Sequence, residues 1–201
     1  MVGGTGPFGK ALATRLHEAG IAVVVGSRAA DRAEAIASDL GVEGATNEDA
    51  VAGVELVVLA VSADAAIDTA KHLRKAIGAT PVLSVATDLR FTSDGVVLAI
   101  DRMSLAERVQ KELDGPVVAG LHSLAASNLA TATPDEDAFV CGDDQDAKAL
   151  VLDVCSRVIS GRALDAGPLA SARALEGLTA VIVNLNKRYR AHAGIRVTGI
   201  P

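Results

Sequence analysis

Within the first nine residues stands Gly4-Thr5-Gly6-Pro7-Phe8-Gly9, a G-x-G-x-x-G spacing, and only Met1, Val2 and Gly3 precede it. Such a loop has a narrow structural use. Gly4 allows a tight turn, Gly6 lets the backbone approach a pyrophosphate, and Gly9 lets a following helix pack closely on a sheet, with its N-terminus facing the anion. The motif alone is a weak signal and gains weight from its neighbours in the chain. Here a helical pattern runs over 7–19, with Phe8, Leu12 and Leu16 on one face and Gly20 as the stop, and a β-rich run comes next at 21–27. A fold of this type needs a buried first strand at the centre of its sheet. The expectation is therefore a gap, or a shortened first strand, at that centre.

Downstream, helical and strand patterns alternate. A helix closes at Gly41, a buried strand runs over 54–62, a helix spans 63–78, and "TPVLSVAT" is a further strand. This rhythm predicts a mostly parallel sheet with helices on both faces. From about residue 91 it loosens to a short strand and a helix. Three strand-then-helix units come after them, the last with a long helix that Pro168 can open. With Phe8, Phe91, Phe139 and Tyr189 as the only aromatics, the core must be built from Ala, Val, Leu and Ile.

The end of the second strand decides which dinucleotide fits. An NAD site places an acid there to accept from the ribose 2′-hydroxyl. This chain reads "VVVGSR", with Ser27 and Arg28 at that place and Arg32 one helical turn on. A carboxylate would repel a 2′-phosphate; a hydroxyl and two guanidinium groups bind it. The reading is NADP(H).

The formal net charge of −6 argues against a general nucleic-acid binder. No signal-peptide pattern or apolar run of membrane-spanning length is present, and the expectation is a soluble cytoplasmic protein. Cys141 and Cys155 make no disulfide framework and read as buried, inert thiols. In "CGDDQDAK", Asp143 or Asp144 caps the next helix rather than binding a metal. No cysteine–histidine cluster has metal spacing, and no nucleophile–base pairing stands out. His17 and His72 read as surface or helix-packing residues, and His192 as a cap of the last helix. His122 lies just past a strand, at the sheet edge where ligands bind. The basic group Lys187, Arg188, Arg190 and Arg196 suits either a helix C-terminus or an anionic ligand tail.

Together, "GGTGPFGKALATRL", "VVGSRAADRAEAIA", "LHSLAASNL", "FVCGDDQDAKALV", "ALDAGPLASARALEGLTAVIVNLNKRY" and "HAGIR" resemble the NADPH-dependent coenzyme F420 reductases, over nearly the whole chain. The resemblance implies a Rossmann-type, doubly wound α/β domain over 1–120 and a smaller C-terminal part over 121–201 that ends in a long helix. It also implies a homodimer and direct hydride transfer between NADP(H) and coenzyme F420. Carried over, Thr5 to Gly9 resemble the pyrophosphate loop, and Ser27, Arg28 and Arg32 the 2′-phosphate site. Val61 and Ser62 match the segment beside the nicotinamide ribose, His122 a histidine near the deazaflavin, and Gly167, Pro168 and Leu169 a loop walling the same cleft. Two stretches depart from the family pattern: Ser62-Ala63, where a proline and an aromatic are usual, and 86–97. An NADP-dependent reductase of a small imine or carbonyl compound, and a non-catalytic NADP(H) sensor, are the alternative readings.

Overall fold

In the computed structural model, which describes residues 1–99 and 101–200, the sheet assembles around a two-residue centre. Strands β1 (Val24–Ser27) and β2 (Glu43–Thr46) pair in parallel. Strands β3 (Val57–Leu59), β4 (Val82–Ser84), β7 (Val117–Gly120), β8 (Ala138–Gly142) and β9 (Ala163–Asp165) form a second run in that spatial order. All of its pairs are parallel except β7–β8. Met1 and Val2 join the two runs. The Met1 amine donates to Val24 O at 2.6 Å, and Gly26 N donates to Met1 O at 2.8 Å. On the other side Val2 N donates to Val58 O, and Ala60 N to Val2 O, each at 2.9 Å. The first strand is thus a stub, as the short lead-in implied, and the remaining strands take a doubly wound order around it. Beside the stub, where a longer strand would run, lies a largely apolar cavity of about 330 Å³ lined by Met1, Leu16, Ile21, Val23, Leu56 and Val58.

The sheet buries both faces, and its strands show why. Val58, Leu83 and Val118 point to one side, against α1 (Pro7–Glu18) and α7 (Gln145–Val158). Val57, Leu59, Val82, Val117 and Ala119 point to the other. There they meet α4 (Ala63–Ile77), α5 (Leu105–Gln110) and the buried side of α8 (Ala172–Tyr189). Successive residues alternate in side, the period of a strand covered on both faces. Helix α2 (Ala30–Leu40) packs on β1 and β2 and ends at Gly41, whose φ of 70° is the left-handed turn that glycine adopts without strain. Cys141 and Cys155 are both free and buried, and burial pushes each thiol up to about 12.

Several elements differ from the sequence expectations. The strand expected over 21–27 is paired only from Val24: Ile21 N turns back to Leu16 O at 2.9 Å, and the residues up to Val23 border the cavity beside Met1. The strand expected over 54–62 shortens to Val57–Leu59: residues 54–56 border the same cavity, and past Leu59 the chain turns into α4 at its N-cap Ser62. Strand β2 and the one-turn helix α3 (Asn47–Ala50) were not anticipated: "EGAT" is too short and polar to register as a strand. Past residue 88, in place of one short strand, the chain forms an antiparallel hairpin of β5 (Leu89–Thr92) and β6 (Gly95–Leu98). Its two-residue turn, Ser93-Asp94, ends at Gly95 with φ 142°. Asn184 of α8 stitches the hairpin down, accepting from Val96 N and donating to Val96 O, both at 2.8 Å.

Helix α8 also carries a buried acid, Glu176, 2% exposed. Its carboxylate accepts from Leu105 N at 3.1 Å and Ala106 N at 3.2 Å, tying α8 to the start of α5. Burial pushes it up to about 7. At the start of α5, Ser104 and Glu107 form a reciprocal capping box.

Candidate functional site

The glycine loop sits at the carboxyl edge of the sheet, between the Met1–Val2 stub and α1. The left-handed turn is made by Gly3, with φ 76°, one residue earlier than the spacing suggested. A side chain at Gly3 would also meet Ala60 O at 2.7 Å. Gly9 does allow close packing, against the loop itself: an added Cβ would lie 2.7 Å from Gly3 O and 2.8 Å from Gly4 Cα. Gly6 is the N-cap of α1 and supplies no capping side chain; Pro7 comes next, and the first turn holds no acid. The amides of that turn are therefore left to an anion.

This loop borders a cavity of about 520 Å³. Thr5 and Gly6 line one end, Val61 and Ser62 another, and Ser27, Arg28 and Arg32 a third. These seven positions, singled out from the sequence, converge on one space. Gly4, Pro7, Phe8 and Gly9 support the loop from outside the cavity lining. Arg28 and Arg32 are exposed, and among the described residues neither has an ion-pair partner. Ser27 is 8% exposed, and its hydroxyl accepts from Ala29 N at 3.4 Å. No carboxylate stands at the end of β1. The cavity thus offers backbone amides at one end and two unpaired guanidinium groups at another, which suits a molecule with a pyrophosphate and a further phosphate. Asn47, Asp64, Ala65 and Thr69 also line it and were missed. For Asn47 the sequence held no usable signal, because the strand before it, β2, was itself not legible.

His122 and the 167–169 loop lie outside this cavity lining. His122 comes after β7 and is 4% exposed. Its Nε2 lies 3.4 Å from Ala86 O, past the end of β4, and among the described residues its Nδ1 has no partner. Burial lowers it to about 4, so the ring is neutral near pH 7. Thr179 of α8 donates to His122 O at 2.9 Å and lies 3.3 Å from the Thr87 hydroxyl.

The acidic motif before α7 has two separate tasks. Asp144 caps α7, accepting from Ala147 N at 2.8 Å. Asp143 accepts from Leu169 N at 2.9 Å, and Gly142 N donates to Gly167 O at 3.1 Å. The buried Lys148 pairs with Asp165 at 3.0 Å and reaches Gly167 O at 3.5 Å. The Gly167–Leu169 loop is thereby fixed from three sides. His192 does not cap α8: its Nδ1 lies 3.1 Å from Ser127 Oγ, and Arg190 ends the helix with φ 51°. His72 is a surface residue paired with Glu48. Of the two departures from the family pattern, Ser62-Ala63 starts α4 at the cavity edge, and 86–97 is the loop and hairpin held by α8.

A doubly wound sheet with a glycine loop and a cavity suited to phosphates at its carboxyl edge defines a dinucleotide-binding domain of the Rossmann type. Residues 1–88 match the family described as "NADP oxidoreductase coenzyme F420-dependent". The F420-dependent NADP reductase of Methanothermobacter thermautotrophicus is 34% identical over 219 residues, an alignment covering 100% of this chain and 94% of that one. That of Methanocaldococcus jannaschii is 30% identical over 226 residues, covering 100% and 97%. A solved structure from Arthrobacter sp. FB24, provisionally assigned to F420-dependent NADP reductases, superposes with a TM-score of 0.86 at 25% identity, covering 98% and 97%. The pyrroline-5-carboxylate reductase of Coxiella burnetii shares the fold, with a TM-score of 0.67 at 15% identity over 94% of this chain and 64% of that one. The chain belongs to the F420-dependent NADP reductase family, a family of oxidoreductases.

Proposed function

We infer that this chain transfers a hydride between NADP(H) and the deazaflavin coenzyme F420. One observation carries the NADP half. A single cavity joins an uncapped helix N-terminus to Ser27, Arg28 and Arg32, with no acid at the end of β1. The F420 half is supported by end-to-end similarity to relatives named for both cofactors. When bound, the two cofactors would supply the redox chemistry, one as hydride donor and the other as acceptor. The chain's own part is placement. The 5–9 loop receives the pyrophosphate, Arg28 and Arg32 the 2′-phosphate, and Val61–Ser62 flank the nicotinamide ribose. His122 is neutral and orients the deazaflavin side rather than donating a proton. The fixed 167–169 loop walls that side, and residues 121–201 complete the cleft that residues 1–120 begin. Direct transfer needs the reacting carbons about 3–3.5 Å apart with water excluded, a task for rigid apolar walls.

Mixing the protein with NADPH and F420 and following the deazaflavin absorbance tests this reading. NADPH binding without F420 reduction would overturn it. His122→Ala is expected to slow F420 reduction roughly ten- to a hundredfold through misplacement, with NADPH affinity nearly unchanged. Equal turnover in the variant would remove His122 from the site. Two buried free thiols and no disulfide suit a reducing cytoplasm, where we place the protein.

The active form is a homodimer in this reading, supported by an unpartnered stripe on α8. Val181 is 50% exposed, Leu185 38% and Tyr189 69%, at i, i+4 and i+8. Phe91 of the hairpin, 67% exposed beneath Lys187, continues the patch. A groove lined by Val181, Leu185 and the hairpin turn lies beside these projecting rings, so knob and hole share one surface, as a two-fold contact requires. Leu185→Glu is expected to halve the mass seen by light scattering without altering the helical spectrum. A parent that is monomeric throughout would refute the dimer.

A further inference from the structure

Among the described residues, one side chain of the cavity wall holds a buried polar atom without a hydrogen-bond partner. Asn47 is 8% exposed, and among the described residues its buried Oδ1 has no hydrogen-bond partner. An unpaired buried amide oxygen is costly, about 1–3 kcal/mol. Asn47 does not cap α3, because Thr46 does so, accepting from Asp49 N at 3.2 Å. Its place is set by register. Ser27 pairs with Thr46 across β1 and β2, so Asn47 is the first residue past the sheet edge, beside Arg28. Gly26 makes room for it: a Cβ there would lie 2.9 Å from Asn47 Oδ1. The side-chain amide therefore lies against the backbone of β1 and borders the same space as Ser27, Arg28 and Arg32.

We propose that Asn47 is a cofactor-specificity residue whose amide hydrogen-bonds the phosphorylated ribose of NADP(H). This rests on the NADP(H) reading above. The last torsion of an asparagine is broad and roughly two-fold, so a half-turn exchanges its oxygen and nitrogen at little cost. The group facing the ligand can thus be the NH2, which donates to an oxygen of the 2′-phosphate that NADH lacks. The two arginines supply charge, and the amide supplies direction. An acid in its place would face the 2′-phosphate with like charge and no donor.

The test compares NADPH and NADH binding, by nicotinamide fluorescence, in the parent, Asn47→Asp and Asn47→Ala. Asn47→Asp is nearly isosteric, and the first turn of α3 already carries Glu48 and Asp49, so an acid suits that position. NADPH affinity is expected to fall about tenfold or more in Asn47→Asp and a few-fold in Asn47→Ala, with NADH within about twofold in both. Unchanged NADPH affinity in Asn47→Asp overturns the proposal. So does an equal loss of NADPH and NADH, which marks a structural role. If the parent itself shows no preference for NADPH, the NADP(H) reading fails instead, and that result is seen before any variant is made.

Discussion

Replacing Arg28 with alanine is expected to weaken NADPH binding about ten- to a hundredfold and to leave NADH binding nearly unchanged. Arg28 is exposed at the end of β1, and among the described residues its guanidinium has no acid to neutralise it. It therefore reaches a phosphate without first breaking an ion pair, and the full charge-assisted bond, about 1.5–3 kcal/mol, is available to the ligand. Arg32 lies one helical turn away on α2 and keeps part of the attraction, so the double variant should lose more than either single one. Because these contacts are to charge, raising the salt concentration should narrow the gap between parent and variant. Titrating both cofactors against both proteins decides the matter. Equal affinity of the parent for NADH and NADPH would remove the basis of the NADP assignment.

Legibility in the sequence depends on which interactions are local. The 5–9 loop, the absence of an acid after β1 and the run of alternating helices and strands are written in neighbouring residues, and the fold agrees with them. The parts that escaped depend on pairing across the chain. Strand β2 has four residues with little apolar character and exists because β1 lies beside it. Asn47 becomes a cavity residue only once that pairing sets its register. The hairpin had a local signal, Ser93-Asp94-Gly95, but its anchor, Asn184, lies 88 residues from Val96. His122 was singled out for its place after a strand, whereas its neutrality comes from burial among other elements, which outweighs the opposing contact with Ala86 O. The acids before α7 show the same limit. The helix cap could be read from spacing, but the bond from Leu169 N to Asp143 could not.

Extending the chain by four to six apolar residues ahead of Met1 is expected to raise its melting temperature. The cavity of about 330 Å³ beside Met1 is lined by Leu16, Ile21, Val23, Leu56 and Val58, and an added strand would cover these side chains. The same strand would bond the backbone of residues just before β1 and β3. A gain of about 3 kcal/mol from apolar burial corresponds to roughly 6–12 °C for a chain of this size. A second effect gives the prediction its sign with pH. The Met1 amine is buried against Val24 O, and burial lowers it from 8.0 to about 6. The unfolded chain therefore binds this proton more readily than the fold does. The resulting penalty, on the order of 2–3 kcal/mol, is complete below pH 6 and fades as pH rises to 8. From this group alone the parent gains stability between pH 6 and 8. The extended chain carries its amine away from the slot and loses that gain. The difference in melting temperature between the two should accordingly be largest near pH 6 and smaller near pH 8. Melting curves of both chains at the two pH values measure it. An extension that changes neither the melting temperature nor its pH dependence would mean that the slot beside Met1 does not accept a strand.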